Sequence, residues 1–109
     1  MQIPEKGDLV YMNFSPQLGS EQAGVRPAII LSPKLFNNGK FLVGCPITSQ
    51  IKNYPFEVEL PDNLVIRGVV LTDQVRTVDW RTRKLNVKGQ APEEVIETCI
   101  KRIQTFLYI

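Results

Sequence analysis

The hydrophobic period changes near residue 90, and that change limits the fold more than any other feature of the sequence. Before Gly89 the chain consists of short runs rich in β-branched and aromatic residues, separated by Gly, Pro, Asn and Asp. Leu9–Phe14 alternates loosely, while Arg26–Leu31 and Phe41–Thr48 are compact apolar runs. Phe56–Leu60 alternates cleanly, with Phe56, Val58 and Leu60 on one side and Glu57 and Glu59 on the other. Val69–Val75 and Lys84–Val87 complete the set. Asn37-Asn38-Gly39 reads as a hairpin-like turn, because Asn and Gly tolerate positive φ. Six or so short strands with frequent turns predict a small barrel or strongly bent sheet, which removes exposed edges. After Gly89 the pattern becomes helical. Val95, Ile96, Cys99, Ile100, Ile103, Phe106 and Leu107 recur at steps of three and four and give one broad apolar face. Pro92 suits the first helical position, and Glu93 and Glu94 face the positive end of the helix dipole. The spacing predicts a helix over about 92–107 that packs on a β unit over about 7–89. Together they make one domain spanning 1–109, mainly β with a C-terminal helix.

Composition then limits the chemistry. The 109 residues contain no histidine, so any acid–base or nucleophilic mechanism must run without imidazole. A Ser-His-Asp triad and a histidine-based metal site are excluded as well. Thirteen Lys and Arg against eleven Asp and Glu leave a net charge of +2, which by itself implies no nucleic-acid partner. No apolar run approaches the ~18–20 residues needed to cross a bilayer, and the first residues lack the pattern of a signal peptide. Two cysteines are too few for a disulfide framework. The expectation is a reduced, cytoplasmic protein with no membrane partner. Cys45 sits in a strand-like run and Cys99 on the apolar helix face, and both read as packed small hydrophobes.

Three segments could carry chemistry. The first is Gly19–Pro27, where two glycines bracket small and polar residues and Arg26 is biased towards extended backbone by Pro27. It reads either as a solvated loop with Arg26 salt-bridged at its base, or as a loop that presents donors and acceptors to a ligand. The second is Thr48-Ser49-Gln50, at the end of an apolar run. Hydroxyls placed there can bind an anionic oxygen or cap a turn. The third runs from Thr72 to Lys88 and carries Arg76, Arg81, Arg83, Lys84 and Lys88 against Asp73 and Asp79, with Trp80 among them. Cations around an aromatic suit single-stranded nucleic acid, where phosphates meet the charges and bases stack. A solvated strand and loop with Trp80 half in the core is the other reading of that segment.

In order along the chain, these segments resemble the MazF/PemK family of toxin endoribonucleases. The resemblance begins at Gly7-Asp8-Leu9-Val10 and runs through Gly19–Ala28, Leu31-Ser32-Pro33 and Asn37-Asn38. It continues through Pro46-Ile47-Thr48, Tyr54–Val58, Asp73-Gln74-Val75 and Trp80-Arg81, and closes on Ala91-Pro92-Glu93-Glu94. It implies a small SH3-like barrel with a C-terminal helix, a homodimer, and a cognate antitoxin whose acidic, disordered segment lies near Trp80, Arg81 and Arg83. It also implies cleavage of single-stranded RNA with no metal or other cofactor, by attack of the RNA's own 2′-OH on the adjacent phosphate. Arg26 and Thr48 match the family's catalytic arginine and threonine. Asp73 matches a carboxylate that one branch uses as a base, with an arginine two positions earlier; here that position is Leu71. The resemblance therefore places Asp73 and Gln74 in substrate binding and leaves the base open between Asp73 and Glu21. Ser20, Gln22, Ser49, Gln50, Arg81 and Arg83 are the further RNA-binding candidates. Two other readings stand beside this one: a non-enzymatic inhibitor resembling the gyrase-poisoning CcdB toxins, and an SH3-like nucleic-acid-binding module without catalysis.

Overall fold

The strands fall on or beside the β-rich runs, except for one over Arg76–Asp79, within the segment singled out for its cations. The computed structural model describes residues 2–14 and 24–108. Among these, the strands are β1 (Asp8–Asn13), β2 (Val25–Ile30), β3 (Phe41–Thr48), β4 (Glu57–Glu59), β5 (Val69–Leu71), β6 (Arg76–Asp79) and β7 (Asn86–Gln90). A short helix, α1 (Lys34–Asn37), joins β2 to β3, and α2 (Glu93–Leu107) follows β7. Every pairing is antiparallel, in the order β4-β5-β3-β2-β1-β7, with β6 also on β3. The architecture is a mainly β antiparallel sheet with a C-terminal helix. Pro92 stands one place outside α2 in extended backbone, and its carbonyl accepts from Val95 at 3.0 Å and Ile96 at 3.3 Å. No helix among the described residues is long and apolar enough to cross a membrane.

The compact runs are apolar throughout because the central strands are buried on both faces. Leu9, Ile29, Cys45, Ile47 and Val70 face α2 and pack with its Val95, Ile96 and Cys99. The alternate positions Val10, Met12, Ala28, Ile30 and Leu42 pack with Phe14, Val78 and Trp80 on the other side. A strand covered on both sides loses the clean alternation of a one-sided sheet.

Two prolines decide where the ladders stop. Leu31 N–H donates to the Val43 carbonyl (2.8 Å), so odd-numbered residues of β3 turn their backbone groups towards β2. Pro46 therefore presents its missing N–H to the opposite edge, which β6 and β5 share. β6 pairs with 41–44 and β5 with 47–48. Between them the chain bulges away as a 3₁₀ turn, Thr72–Gln74. Thr72 is buried there, and its N–H (3.1 Å) and hydroxyl both donate to the Phe56 carbonyl. The run Val69–Val75 is thus not one strand but the end of β5 followed by this bulge. Pro27 does the same on β2. Its nitrogen faces β3, and the β2–β3 ladder ends one residue before it, at Ala28 opposite Pro46.

The Asn37-Asn38-Gly39 segment turns the chain, but as the end of α1 and not as a tight hairpin. The reason is Asn37, which is fully buried. Its side-chain N–H groups donate to the carbonyls of Pro4 (2.7 Å) and Ser32 (3.0 Å), and its own carbonyl accepts from the Trp80 indole at 2.8 Å.

The connection between β4 and β5 is pressed against the end of β3 at Gly68. Its φ is +121°, and a Cβ there would overlap the Thr48 carbonyl oxygen. Gly68→Ala should therefore lower the melting temperature by roughly 10 °C or more, since both the backbone angle and the contact must give. Gly39→Ala meets only the Phe36 carbonyl at 3.4 Å and should stay within about 2 °C of wild type. Thermal melts of both variants check this; equal melting temperatures would refute the close approach.

Candidate active site

The site is built where the two proline-terminated ladders end. In the β2–β3 register, Ile30 opposes Gly44, Ile29 opposes Cys45 and Ala28 opposes Pro46. Continued by two residues, that register sets Arg26 against Thr48. Pro27 offers no donor to hold the strands together there, and a hollow of about 520 Å³ opens. Arg26, Thr48, Ser49 and Gln50 line it, together with Tyr11 and Arg67. Arg26 is exposed and Thr48 half-buried. The Thr48 hydroxyl accepts from the Gln50 N–H at 3.2 Å, which leaves its own proton to be donated. Thr48 thus both caps a turn and faces the hollow, so the two readings of this segment are compatible.

A second hollow of about 480 Å³ adjoins the first and shares Thr48 and Gln50 with it. The bulge opposite Pro46 delivers Asp73 and Gln74 to its wall, and the 52–57 loop supplies Lys52, Asn53, Tyr54 and Glu57. That loop is tied down from two sides. The Glu57 carboxylate accepts from the N–H groups of Lys52 (3.2 Å) and Tyr54 (3.4 Å), and Arg102 of α2 donates to the Pro55 carbonyl at 2.7 Å. Tyr54, Phe56 and Phe106 form an aromatic chain with centroids 5.7 and 5.5 Å apart, which anchors the loop on the helix. Hydrogen bonding to Asp73, reinforced by the Asp73 charge, holds the Tyr54 proton and pushes its pKa above the usual 10.

Of the residues expected at the site, Arg26, Thr48, Ser49, Gln50, Asp73 and Gln74 come together around these two hollows. Ser20, Glu21 and Gln22 lie outside the described residues. Arg81 and Arg83 line neither hollow. Arg81 stacks over the Trp80 ring at 5.1 Å and donates to the Asn38 carbonyl (3.1 Å), facing a separate hollow of about 330 Å³. Arg83 donates to the Asn13 carbonyl at 2.9 Å. The stacking reading of Trp80 is overturned. Its ring is 3% exposed, with the indole N–H committed to Asn37, so no base can lie on it. Tyr54 and Arg67 are site residues that sequence reasoning missed. Tyr54 stood within the Tyr54–Val58 match, but nothing signalled that its loop would face Asp73. The arginine before Gly68 carries no local signal at all.

The comparisons with known proteins show the family. Residues 5–107 match the family model described as PemK-like, MazF-like toxin of type II toxin–antitoxin system. The chain belongs to that toxin family. It is 48% identical over 95 residues to the endoribonuclease toxin MazF of Escherichia coli strain K12, covering 85% of each chain. It is 37% identical to the endoribonuclease toxin ChpB of the same strain, covering 92% of this chain and 90% of the relative. Its structure superposes on the crystal structure of MazF from Deinococcus radiodurans with a TM-score of 0.96, at 42% identity over the whole of both chains. A crystal structure of MazE–MazF from that organism gives a TM-score of 0.88 at 42% identity, covering 98% of this chain and 97% of that one. The family and these relatives assign this toxin endoribonuclease activity.

Neither thiol belongs to the site's chemistry. Burial pushes the Cys99 pKa up to about 12, with Arg102 opposing, and pushes Cys45 higher still, helped by Cys99 and Asp73. Both thiols stay protonated in the folded toxin at pH 8–9, where an unfolded chain's thiols ionise near ~8.5. Folded protein should therefore resist iodoacetamide at pH 8.5, and urea-unfolded protein should take up two equivalents. Rapid labelling of the folded toxin would contradict this. Stability should also fall as pH rises past ~9, because only the unfolded state loses its thiol protons there.

Proposed function

We propose that this toxin cuts single-stranded RNA without a metal, by transfer to the RNA's own 2′-OH, with Arg26 and Thr48 holding the reacting phosphate. The observation that carries this reading is their meeting at the open ends of β2 and β3, in a hollow that no carboxylate lines among the described residues. In the reaction the 2′-oxygen bonds to phosphorus and the bond to the 5′-oxygen breaks. The 2′-OH proton passes to a base and a proton is delivered to the departing 5′-oxygen, giving a 2′,3′-cyclic phosphate and a 5′-OH. Because the substrate supplies the nucleophile, the protein needs neither an activated serine nor a thiolate. Its tasks are in-line alignment and stabilisation of charge on the pentavalent transition state. The planar Arg26 fork can grip two phosphate oxygens, and the Thr48 hydroxyl can donate to one of them.

Asp73 faces the same Thr48 from the adjoining hollow and serves substrate binding with Gln74. Ser49 contacts the strand in the first hollow and Gln50 where the two hollows meet. Proton abstraction falls to Asp73 or to Glu21. In this reading the antiparallel sheet, with partners on both edges of β3 and a buried layer on each face, is the family's SH3-like barrel in one domain spanning 1–109. The toxin acts in the cytoplasm as a homodimer. A cognate antitoxin with an acidic, disordered segment covers it near Trp80, Arg81 and Arg83, where Arg81 and Lys84 line a hollow of their own. Crystals of MazE with MazF from Deinococcus radiodurans support such a partner.

The test is cleavage of a long RNA in EDTA. The expected products carry 5′-OH and cyclic-phosphate ends, and a 2′-deoxy substitution at the cut nucleotide should abolish cutting. Arg26→Lys should lose about 10²–10³ in rate, because a point charge does not reproduce a two-pronged grip. Fragments with 5′-phosphates, or a Lys variant within a few-fold of wild type, would overturn the mechanism.

A further inference from the structure

The hollow that holds Arg26 and Thr48 contains a second guanidinium, that of Arg67. Arg67 lies in the connection between β4 and β5, a stretch with no regular strand or helix. Its backbone is nevertheless fixed from both sides. Ile66, immediately before it, is 3% exposed and packs in the core beneath α2. Gly68, immediately after it, is pressed against the Thr48 carbonyl in a conformation open to glycine, and its own carbonyl accepts from Leu60 N–H at 2.9 Å. The Arg67 Cα is thereby held beside the residue proposed to touch the reacting phosphate, while the Arg67 side chain is exposed. Among the described residues that line this hollow there is no Asp or Glu, and Ser49 and Gln50 add neutral donors. A second cation in this open hollow adds to the positive potential that an anionic ligand meets there.

We infer that Arg67 is a second phosphate-binding side chain of this site, holding a backbone phosphate of the strand next to the one addressed by Arg26 and Thr48. This rests on the reading of the hollow as an RNA site and adds a residue to it. Arg67 is a binding residue and not a catalytic one, because it carries an unreactive phosphate. Its contribution is mainly electrostatic, so a lysine can replace it where a lysine cannot replace Arg26. An unreactive phosphate asks only for charge, whereas the reacting one asks for a particular pair of hydrogen bonds.

The experiment is binding of a fluorescent single-stranded 2′-fluoro RNA, which has no attacking hydroxyl, by anisotropy across a series of salt concentrations. Arg67→Ala should bind roughly tenfold more weakly at low salt. Its plot of log affinity against log salt should be shallower by about 0.7, the value for one lost phosphate contact on a single strand. Arg67→Lys should keep the wild-type slope and most of the affinity, which separates lost charge from lost packing. A wild-type slope in Arg67→Ala, a lysine variant as weak as the alanine one, or no strand binding by wild type would each overturn the inference. Wild type that binds the strand with the expected slopes, yet leaves the corresponding RNA uncut, would overturn the cleavage reading and support the role of Arg67.

Discussion

Pro46 lies in the middle of the strand around which the sheet is organised, and its missing N–H shapes nearly everything near the site. β3 carries β2 on one edge and both β5 and β6 on the other. Proline is tolerated at such a position only where no ladder bond is required. Here the requirement is removed by letting the neighbouring chain bulge outward over Thr72–Gln74. The bulge puts Asp73 and Gln74 on the wall of a hollow that Thr48 also lines. Pro27, one strand away, ends the ladder between β2 and β3 in the same manner, so Arg26 stays paired with Met12 of β1 but not with β3. Two residues unable to donate a hydrogen bond thus open a site inside an otherwise continuous sheet.

The chemistry that fits this opening is the chemistry a chain without histidine can perform. An arginine fork, a threonine hydroxyl and neutral amides can orient a phosphodiester and stabilise charge on it. They lack the imidazole pair that other ribonucleases use to move protons. On the proposed mechanism, most of the rate enhancement comes from alignment and electrostatic stabilisation. That places a premium on rigid placement, and the structure supplies it. Gly68 packs on the Thr48 backbone, Glu57 organises the 52–57 loop, and Arg102 and Phe106 pin that loop to α2.

Much of this was legible in the sequence, though unevenly. β-Branched runs marked the strands, and the three-four repeat after Gly89 marked α2, because those signals come from burial periods that the fold keeps. Arg26 and Thr48 were legible through family resemblance, and their meeting follows from register. The interruption of Val69–Val75 was not legible, because its cause is Pro46, about 26 residues away, and no local propensity reports it. For Trp80 the sequence leaves two readings open, a surface for bases or a place half in the core. The structure decides for the core, because Trp80 packs with Val10, Phe14, Leu42 and Val78 and its indole N–H donates to the distant Asn37 carbonyl. Arg67 was invisible for the same reason: it matters because Gly68 touches Thr48, a contact made only in three dimensions.

The central claim is that Arg26 and Thr48 act on one phosphate. Single-turnover cleavage by Arg26→Ala, Thr48→Val and the double variant tests it most directly. Residues that grip the same group act as a unit, so the double variant should be no more than a few-fold slower than the worse of the two single variants. A double variant whose loss equals the product of the two single losses would show that the residues act independently, and would contradict the shared site.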